Sequence, residues 1–391
     1  MDAMRMLRPQ PLTSLRTMDP IDRVFTAFHK LCLGSLALMG LGLSLRLQAD
    51  EKLPNRYLQT NLVSDVSGLA LVTDPALVNP WGLSASATSP WWVSDNGTGL
   101  STLYRGTGAI VPLVVAIPNL PSVTDPSAPT GTVFNGASTD FLVAPGKSSR
   151  FLFATEGGTI IGWNSGTLAV QMVDNSATAV YKGLAIAQSG GANYLYAANF
   201  KSGRIDVFDR NFAPVSFSPW AFRDMELPRG YAPFNVQAIG DQLFVTYALK
   251  APGSIDELHG PGRGFVDVYS TNGDLRKRLE HGAWLNAPWG VALAPADFGL
   301  FSGRILVGQF GSGKIIAYDA VSGRYRGMVK GFDHRPLRIE GLWALSFGNG
   351  AAAGPANVLY FTAGIDDEAH GLLGSLMPMP PSPDDDNDSD D

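Results

Sequence analysis

Six short apolar segments of this chain open on Gly or Asn, and each leads into further strand-like runs separated by Gly-rich turns. The openings are Trp81-Gly82-Leu83, Phe134-Asn135-Gly136, Lys182-Gly183-Leu184, Phe234-Asn235-Val236, Trp289-Gly290-Val291 and Glu340-Gly341-Leu342. Their central residues are 53, 48, 52, 55 and 51 positions apart. One unit of about 50 residues built from short strands cannot bury its apolar face alone, so such units must pack against one another as the blades of a β-propeller. The pattern predicts an all-β fold, a six-bladed β-propeller. Two stacked sandwiches split near Pro219 are the competing architecture, and the unbroken spacing through that point favours the ring.

Within each unit the runs alternate strand and turn. Blade one reads as Gly82–Ser86, Trp91–Ser94, Leu100–Tyr104 and Ala109–Ile117, and blade two begins at Phe141–Ala144. Blade six offers only Leu342–Phe347, Val358–Thr362 and Gly371–Leu376. The strand-like Tyr57–Val63 is its missing outer strand, which closes the ring without a covalent bond. The 44 Gly and 27 Pro of this 391-residue chain suit many tight turns, and 45% hydrophobic content supports a large core.

Asn79-Pro80-Trp81-Gly82-Leu83 followed by Trp92-Val93-Ser94-Asp95-Asn96-Gly97 resembles an NHL-type repeat, as does Tyr194–Asn199 followed by Gly203–Asp209. With GYAPFNVQ at 230–237, LNAPWGVALAP at 285–295 and LYFTAGIDDEAHGL at 359–372, the chain is similar to an uncharacterised bacterial family of exported six-bladed propellers. The resemblance covers roughly residues 56–376 and implies the fold but no activity. Some members of that family carry a PEP-CTERM sorting signal, which the acidic tail of this chain lacks.

The ends lie outside the repeat. An apolar run of fifteen residues, Leu31–Leu45, follows Arg23, His29 and Lys30, which suits a signal peptide over residues 1–49 cleaved after Ala49. Fifteen residues fall short of a membrane span, so no stable span remains after cleavage. An uncleaved N-terminal anchor is the alternative, and Met18 competes with Met1 as the start. Cleavage removes Cys32, the only cysteine, so a secreted or periplasmic monomer without disulfides is expected for residues 50–376. Residues 377–391, a Pro-rich stretch ending in DDDNDSDD, read as a disordered, solvated tail. A net charge of −6 with no basic cluster argues against nucleic acid as a partner.

In a propeller the loops entering each first strand and those joining strands two and three open on one face. That face is expected to carry Trp81, Phe134, Lys182, Phe234, Trp289 and Glu340 in ring order, with Lys182 and Glu340 opposed. The second-strand ends add Asp95, Asn96, Glu156, Asn199, Gln309 and the run Asp366–His370. Apolar walls with a few convergent polar groups suit a glycan, peptide or small-molecule site. Packing of the aromatics between blades, and a capping turn at Asp366–His370, are the structural alternatives. Blade four inserts Leu249–Arg263, which carries Lys250, Asp256, Glu257 and His259 and reads as a lid or a tolerated surface loop.

A hard cation such as Ca²⁺ needs oxygens from several blades, and Glu340, Asn135, Asn199 and Asp95 are the candidates. The Glu340-Gly341 opening also resembles the metal-binding glutamate of lactonase-like propellers. His259, His281, His334 and His370 show no ligand spacing. There is no G-x-S-x-G elbow, H-E-x-x-H motif or P-loop. The reading is therefore a binding module using the mouth face, with His259 and His370 beside the six openers, against a metal-dependent hydrolase centred on Glu340.

Overall fold

The structure is a computed structural model and describes residues 53–380. Six antiparallel sheets follow one another along the chain, each with its first strand innermost. Blade I comprises Pro80–Ser84, Trp91–Asp95, Leu100–Tyr104 and Ile110–Ala116. Blade II comprises Pro129–Phe134, Phe151–Thr155, Thr159–Trp163 and Val170–Asp174. Blades III, IV and V begin at Tyr181–Ser189, Tyr231–Ile239 and Pro288–Leu293. Blade VI joins Leu342–Phe347, Leu359–Ile365 and His370–Pro378 to the N-terminal strand Tyr57–Ser64. One 3-10 turn, Gly299–Phe301, is the only helical element among the described residues, and none of these is long and apolar enough to cross a membrane.

The expected closure is present. Tyr57–Ser64 pairs antiparallel with His370–Pro378, from Tyr57 opposite Pro378 to Ser64 opposite Leu372. Tyr57 is fully buried; its hydroxyl donates to Phe298 O at 2.9 Å, and its ring lies against Phe298 and Phe301. The seam strand is therefore anchored to blade V as well as to blade VI. The last strand continues through Pro378; the proposed leader (1–49) and residues 381–391 lie outside the described residues.

Two of the six openings are displaced from their expected places. In blade II the inner strand is Pro129–Phe134, not Phe141–Ala144; Leu142–Ala144 instead pairs with Lys147–Ser148 in a small hairpin inserted between the first and second strands. In blade VI the residue nearest the axis is Ala344 rather than Gly341. The six axial residues are Gly82, Gly131, Gly183, Asn235, Gly290 and Ala344. Steric need explains most of them: a Cβ on Gly82 would sit 2.4 Å from Thr130 O, and one on Gly290 would sit 2.4 Å from Trp343 O. The inner strands approach so closely that the cavity between them is about 20 Å³.

Candidate functional site

Each inner strand begins on the face where the second strand ends: Pro80 lies opposite Asp95, and Pro129 opposite Thr155. The residues preceding the axial set on this mouth face are Trp81, Thr130, Lys182, Phe234, Trp289 and Trp343. Trp81, Phe234, Trp289 and Trp343 are at most 4% exposed. Trp343 stacks on Trp81 at 3.6 Å between centroids, and Trp289 meets Trp81 edge-on at 6.2 Å. The indole N–H groups of Trp289 and Trp343 donate to Lys182 O and Asn79 Oδ1. These four rings form a plug that seals the axis, so they are a floor and not a row of exposed stacking platforms.

Phe134 and Asn135 lie at the other end of their strand, with Phe134 opposite Phe151, and so belong to the opposite face. The Asn135 amide nitrogen lies within hydrogen-bond distance of Ala137 O, Asp140 O, Ser148 Oγ and Ser149 O, all within its own blade. Glu340 sits exposed in the turn before Leu342–Phe347, two residues short of that strand. The opposition of Lys182 and Glu340 is thus not found; across the ring from Lys182 stands Trp343, because the axial residue of blade VI lies three residues after its Gly341.

Lys182 is the charged centre of the mouth. It is 2% exposed, and its ammonium lies 5.1 Å from the Trp81 ring and 5.8 Å from that of Phe200. Nζ reaches Glu156 Oε1 at 2.7 Å and Asp256 Oδ1 at 3.8 Å. Burial works against the ammonium, but Glu156, Glu257 and Asp256 outweigh it and hold the Lys182 pKa above the ordinary lysine value. Glu156 follows the second strand of blade II, Glu257 rides on the blade IV insertion, and Glu368 turns between Leu359–Ile365 and His370–Pro378 of blade VI. Glu156 thus contacts Lys182 directly, and the part-buried Glu257 and Glu368, carried on two further alternate blades, are coupled to it through their charges.

Glu368 is delivered by an unusual turn. Asp366, Asp367 and Glu368 have φ values of 55°, 54° and 68°, a left-handed run that costs each side-chain-bearing residue roughly 1 kcal/mol. The turn brings Glu368 Oε2 within 2.7 Å of Asn79 Nδ2. Burial first, then the charges of Glu257 and Glu156, push the Glu368 pKa from 4.5 up to about 7, against the Asn79 hydrogen bond. Burial also raises Glu257, with Lys182 opposing. An Asn79–Asn96 contact and a hydrogen bond from Asn96 Nδ2 to Glu156 Oε2 at 3.2 Å continue the network from blade VI to blade II.

The blade IV insertion packs down over this face. Glu257–Leu258 pairs with Leu249–Lys250, Gly260 N donates to Asn286 Oδ1, and the exposed His259 ring stands 6.3 Å from Phe310. His370 Nδ1 lies 2.7 Å from Asp65 Oδ2, a contact that raises the His370 pKa and joins blade VI to the seam segment. Asp95 is fully buried and accepts from Thr102 N, while Asn199 donates to Asp206 Oδ2 at 2.8 Å. Asp95 and Asn199 are thus engaged within their own blades, Asn135 belongs to the opposite face and Glu340 is exposed in its turn, so the structure does not gather the four around the axis. The sequence does not single out Trp343 or Asn79: Gly341 marks an opening two residues before Trp343, and Asn79 stands within a repeat signature.

No protein-family model matches the chain. It is 33% identical over 331 residues to Uncharacterized protein L690 of Acanthamoeba polyphaga mimivirus, covering 81% of this chain and 84% of that protein. Uncharacterized protein R648 of the same virus is 31% identical over 327 residues, covering 81% and 78%. These relatives are viral proteins and give no support to the bacterial origin or the export that the sequence resemblance implies. Among solved structures, a structural genomics protein of unknown function from Bacteroides thetaiotaomicron aligns with a TM-score of 0.52 at 9% identity, over 82% of this chain and 76% of that one. A glucose dehydrogenase aligns with a TM-score of 0.50 at 12% identity, over 81% and 98%. At such identities the likeness concerns the fold alone.

Proposed function

We propose that this chain, which belongs to the same family as the mimivirus proteins L690 and R648, is a non-enzymatic binding module for a cationic group. The ligand is an amine or guanidinium, carried on a peptide or small molecule and taken at the channel mouth. The observation that carries this is the arrival of Glu156, Glu257 and Glu368 from alternate blades around the single buried Lys182. Carboxylates outnumber the cation, and burial with mutual repulsion raises two of them. A second cation relieves that repulsion, and it acts at a part-desolvated site where charge interactions exceed their value in water. Because the aromatic plug is sealed, a ligand meets the carboxylates and the part-exposed ring of Phe310, which stacks on Trp343 at 4.2 Å and offers a face for cation–π contact.

The test is calorimetry of the full chain with N-acetyl-arginine amide. Saturable binding is expected, weakened roughly tenfold by Glu257→Gln, since a charge-assisted hydrogen bond contributes about 1.5–3 kcal/mol. Added salt is expected to weaken it further. Absence of saturable binding, or a Glu257→Gln/Glu368→Gln double variant that binds like the parent chain, overturns the proposal.

A further inference from the structure

The face opposite the mouth carries a different cavity, between blades I and II. It has a volume of about 650 Å³, within the size range of small-molecule sites. Its back is an aromatic cluster: Trp92 stacks on Phe151 at 4.2 Å and stands 4.5 Å from Trp163, while Phe134 meets Phe151 at 5.4 Å. Phe134 is part-exposed, so one ring edge faces the open space. The front wall is the hairpin inserted between the first two strands of blade II. That hairpin packs tightly, since a Cβ on Gly162 would lie 2.4 Å from Ser149 Oγ and 2.7 Å from Val143 Cγ1.

Arg150 is the only charged residue lining this cavity. It is exposed, and its guanidinium forms no ion pair or hydrogen bond with another described residue. The neighbouring polar groups are already committed: Asn135 Nδ2 has four acceptors within reach of its two N–H groups, and Ser148 Oγ lies 2.7 Å from both Ala137 O and Asp140 O. A free planar cation beside an aromatic wall, in a chain whose net charge is −6, selects for an anion that also carries a flat apolar body.

We propose that the blade I–II cleft is a second binding site, for a small flat acid: an aromatic or alicyclic ring bearing one carboxylate or similar anionic group. The acid pairs with Arg150, and its ring enters along Phe134 toward Trp92 and Trp163. The site is independent of the mouth, because its residues lie at the opposite ends of the same strands.

The experiment titrates the full chain with 2-naphthoate by calorimetry, beside the neutral analogue 2-naphthol. One saturable site is expected for 2-naphthoate. Binding should be roughly tenfold weaker for 2-naphthol and for Arg150→Gln, because each removes the charge-assisted contact. Phe134→Ala is expected to weaken both compounds, and the mouth variant Glu257→Gln to leave 2-naphthoate binding unchanged. Arg150 is exposed, so the Arg150→Gln chain should unfold at the parent's urea midpoint, which separates loss of the contact from loss of the fold. No saturable binding overturns the proposal, as does equal affinity for the two compounds or for Arg150→Gln and the parent. A changed 2-naphthoate affinity in Glu257→Gln, in either direction, also overturns it, by placing the acid at the mouth.

Discussion

Glu368 Oε2 accepts a 2.7 Å hydrogen bond from Asn79 Nδ2, and the oxygen of that same amide accepts from Trp343 Nε1 at 3.0 Å. One buried asparagine therefore couples the titrating carboxyl of the mouth to the aromatic plug beneath it. Asn79 itself has a φ of 44°, a conformation that asparagine tolerates better than most residues.

This coupling predicts a pH-dependent stability. The folded pKa of Glu368, about 7, lies above its ordinary value of 4.5, so the folded state holds the proton more tightly. Stability should fall as pH rises from about 4.5 to about 7 and level off above that. Asp267, raised to about 6 chiefly by burial, contributes with the same sign. Urea midpoints at pH 5 and pH 8 check this: Glu368→Gln should shrink the difference and leave the part that Asp267 supplies. An unchanged difference in the variant would show that Glu368 does not titrate in this window.

Lys182→Met tests the centre of the charge network. Methionine fills much of the same volume over Trp81 and Phe200 but leaves Glu156, Glu257 and Glu368 without their cation. Breaking a buried pair from one side costs about 3 kcal/mol, and the partial exposure of Glu156 pulls the figure toward the lower end. The loss should be larger at pH 8 than at pH 5, where protonation of the raised carboxyls removes their repulsion. Equal losses at both pH values would refute the charge argument and leave only a packing effect.

Much of the architecture could be read from the chain, and the errors have a common cause. Gly or Asn marks each blade opening, and Gly is demanded where the crowded axis admits little more than a hydrogen atom, at Gly82, Gly183 and Gly290. In blade VI Ala344 meets that demand nearly as well, and Gly341, with a φ of 60°, serves a turn instead. In blade II both Thr130-Gly131-Thr132 and Phe134-Asn135-Gly136 satisfy the local pattern. Only contact with the next blade decides, since a Cβ on Gly131 would lie 2.3 Å from Leu184 N. Glu156, Glu257 and Glu368 were each visible on the right loops, but their convergence on Lys182 depends on the ring being in correct register. The blade I–II cleft is not legible in the sequence, because the hairpin that walls it has the apolar pattern of an inner strand at Phe141–Ala144.

The axial argument yields a paired prediction. Gly290→Ala places a methyl against Trp343 O and Leu345 N, where backbone must move, so a loss of about 3 kcal/mol is expected. Ala344→Gly at the equivalent position of the next blade should cost only about 1 kcal/mol, from backbone entropy and one lost methyl contact. Denaturant midpoints of the two variants provide the check. Similar losses would mean that close inner-strand approach is not what selects the small residue.

The ring seam gives the last prediction. Tyr57 is fully buried between the N-terminal strand and blade V, with ring contacts to Phe298 at 4.8 Å and Phe301 at 6.3 Å. Its hydroxyl donates to Phe298 O, and burial raises its pKa. Tyr57→Phe removes only the two hydroxyl hydrogen bonds, to Phe298 O and from Phe301 N, and should cost about 1 kcal/mol, with some further penalty for the groups left unpaired. Tyr57→Ala removes the ring as well and should cost about 3–5 kcal/mol. Because this strand closes blade VI, with only the two-residue strand Val72–Thr73 outside it, the alanine variant should open the seam first. Hydrogen exchange would then rise in Leu58–Ser64 and His370–Leu376 before it rises in blades II and III. Uniform loss of protection around the ring would instead mean that closure and the rest of the propeller unfold as one unit.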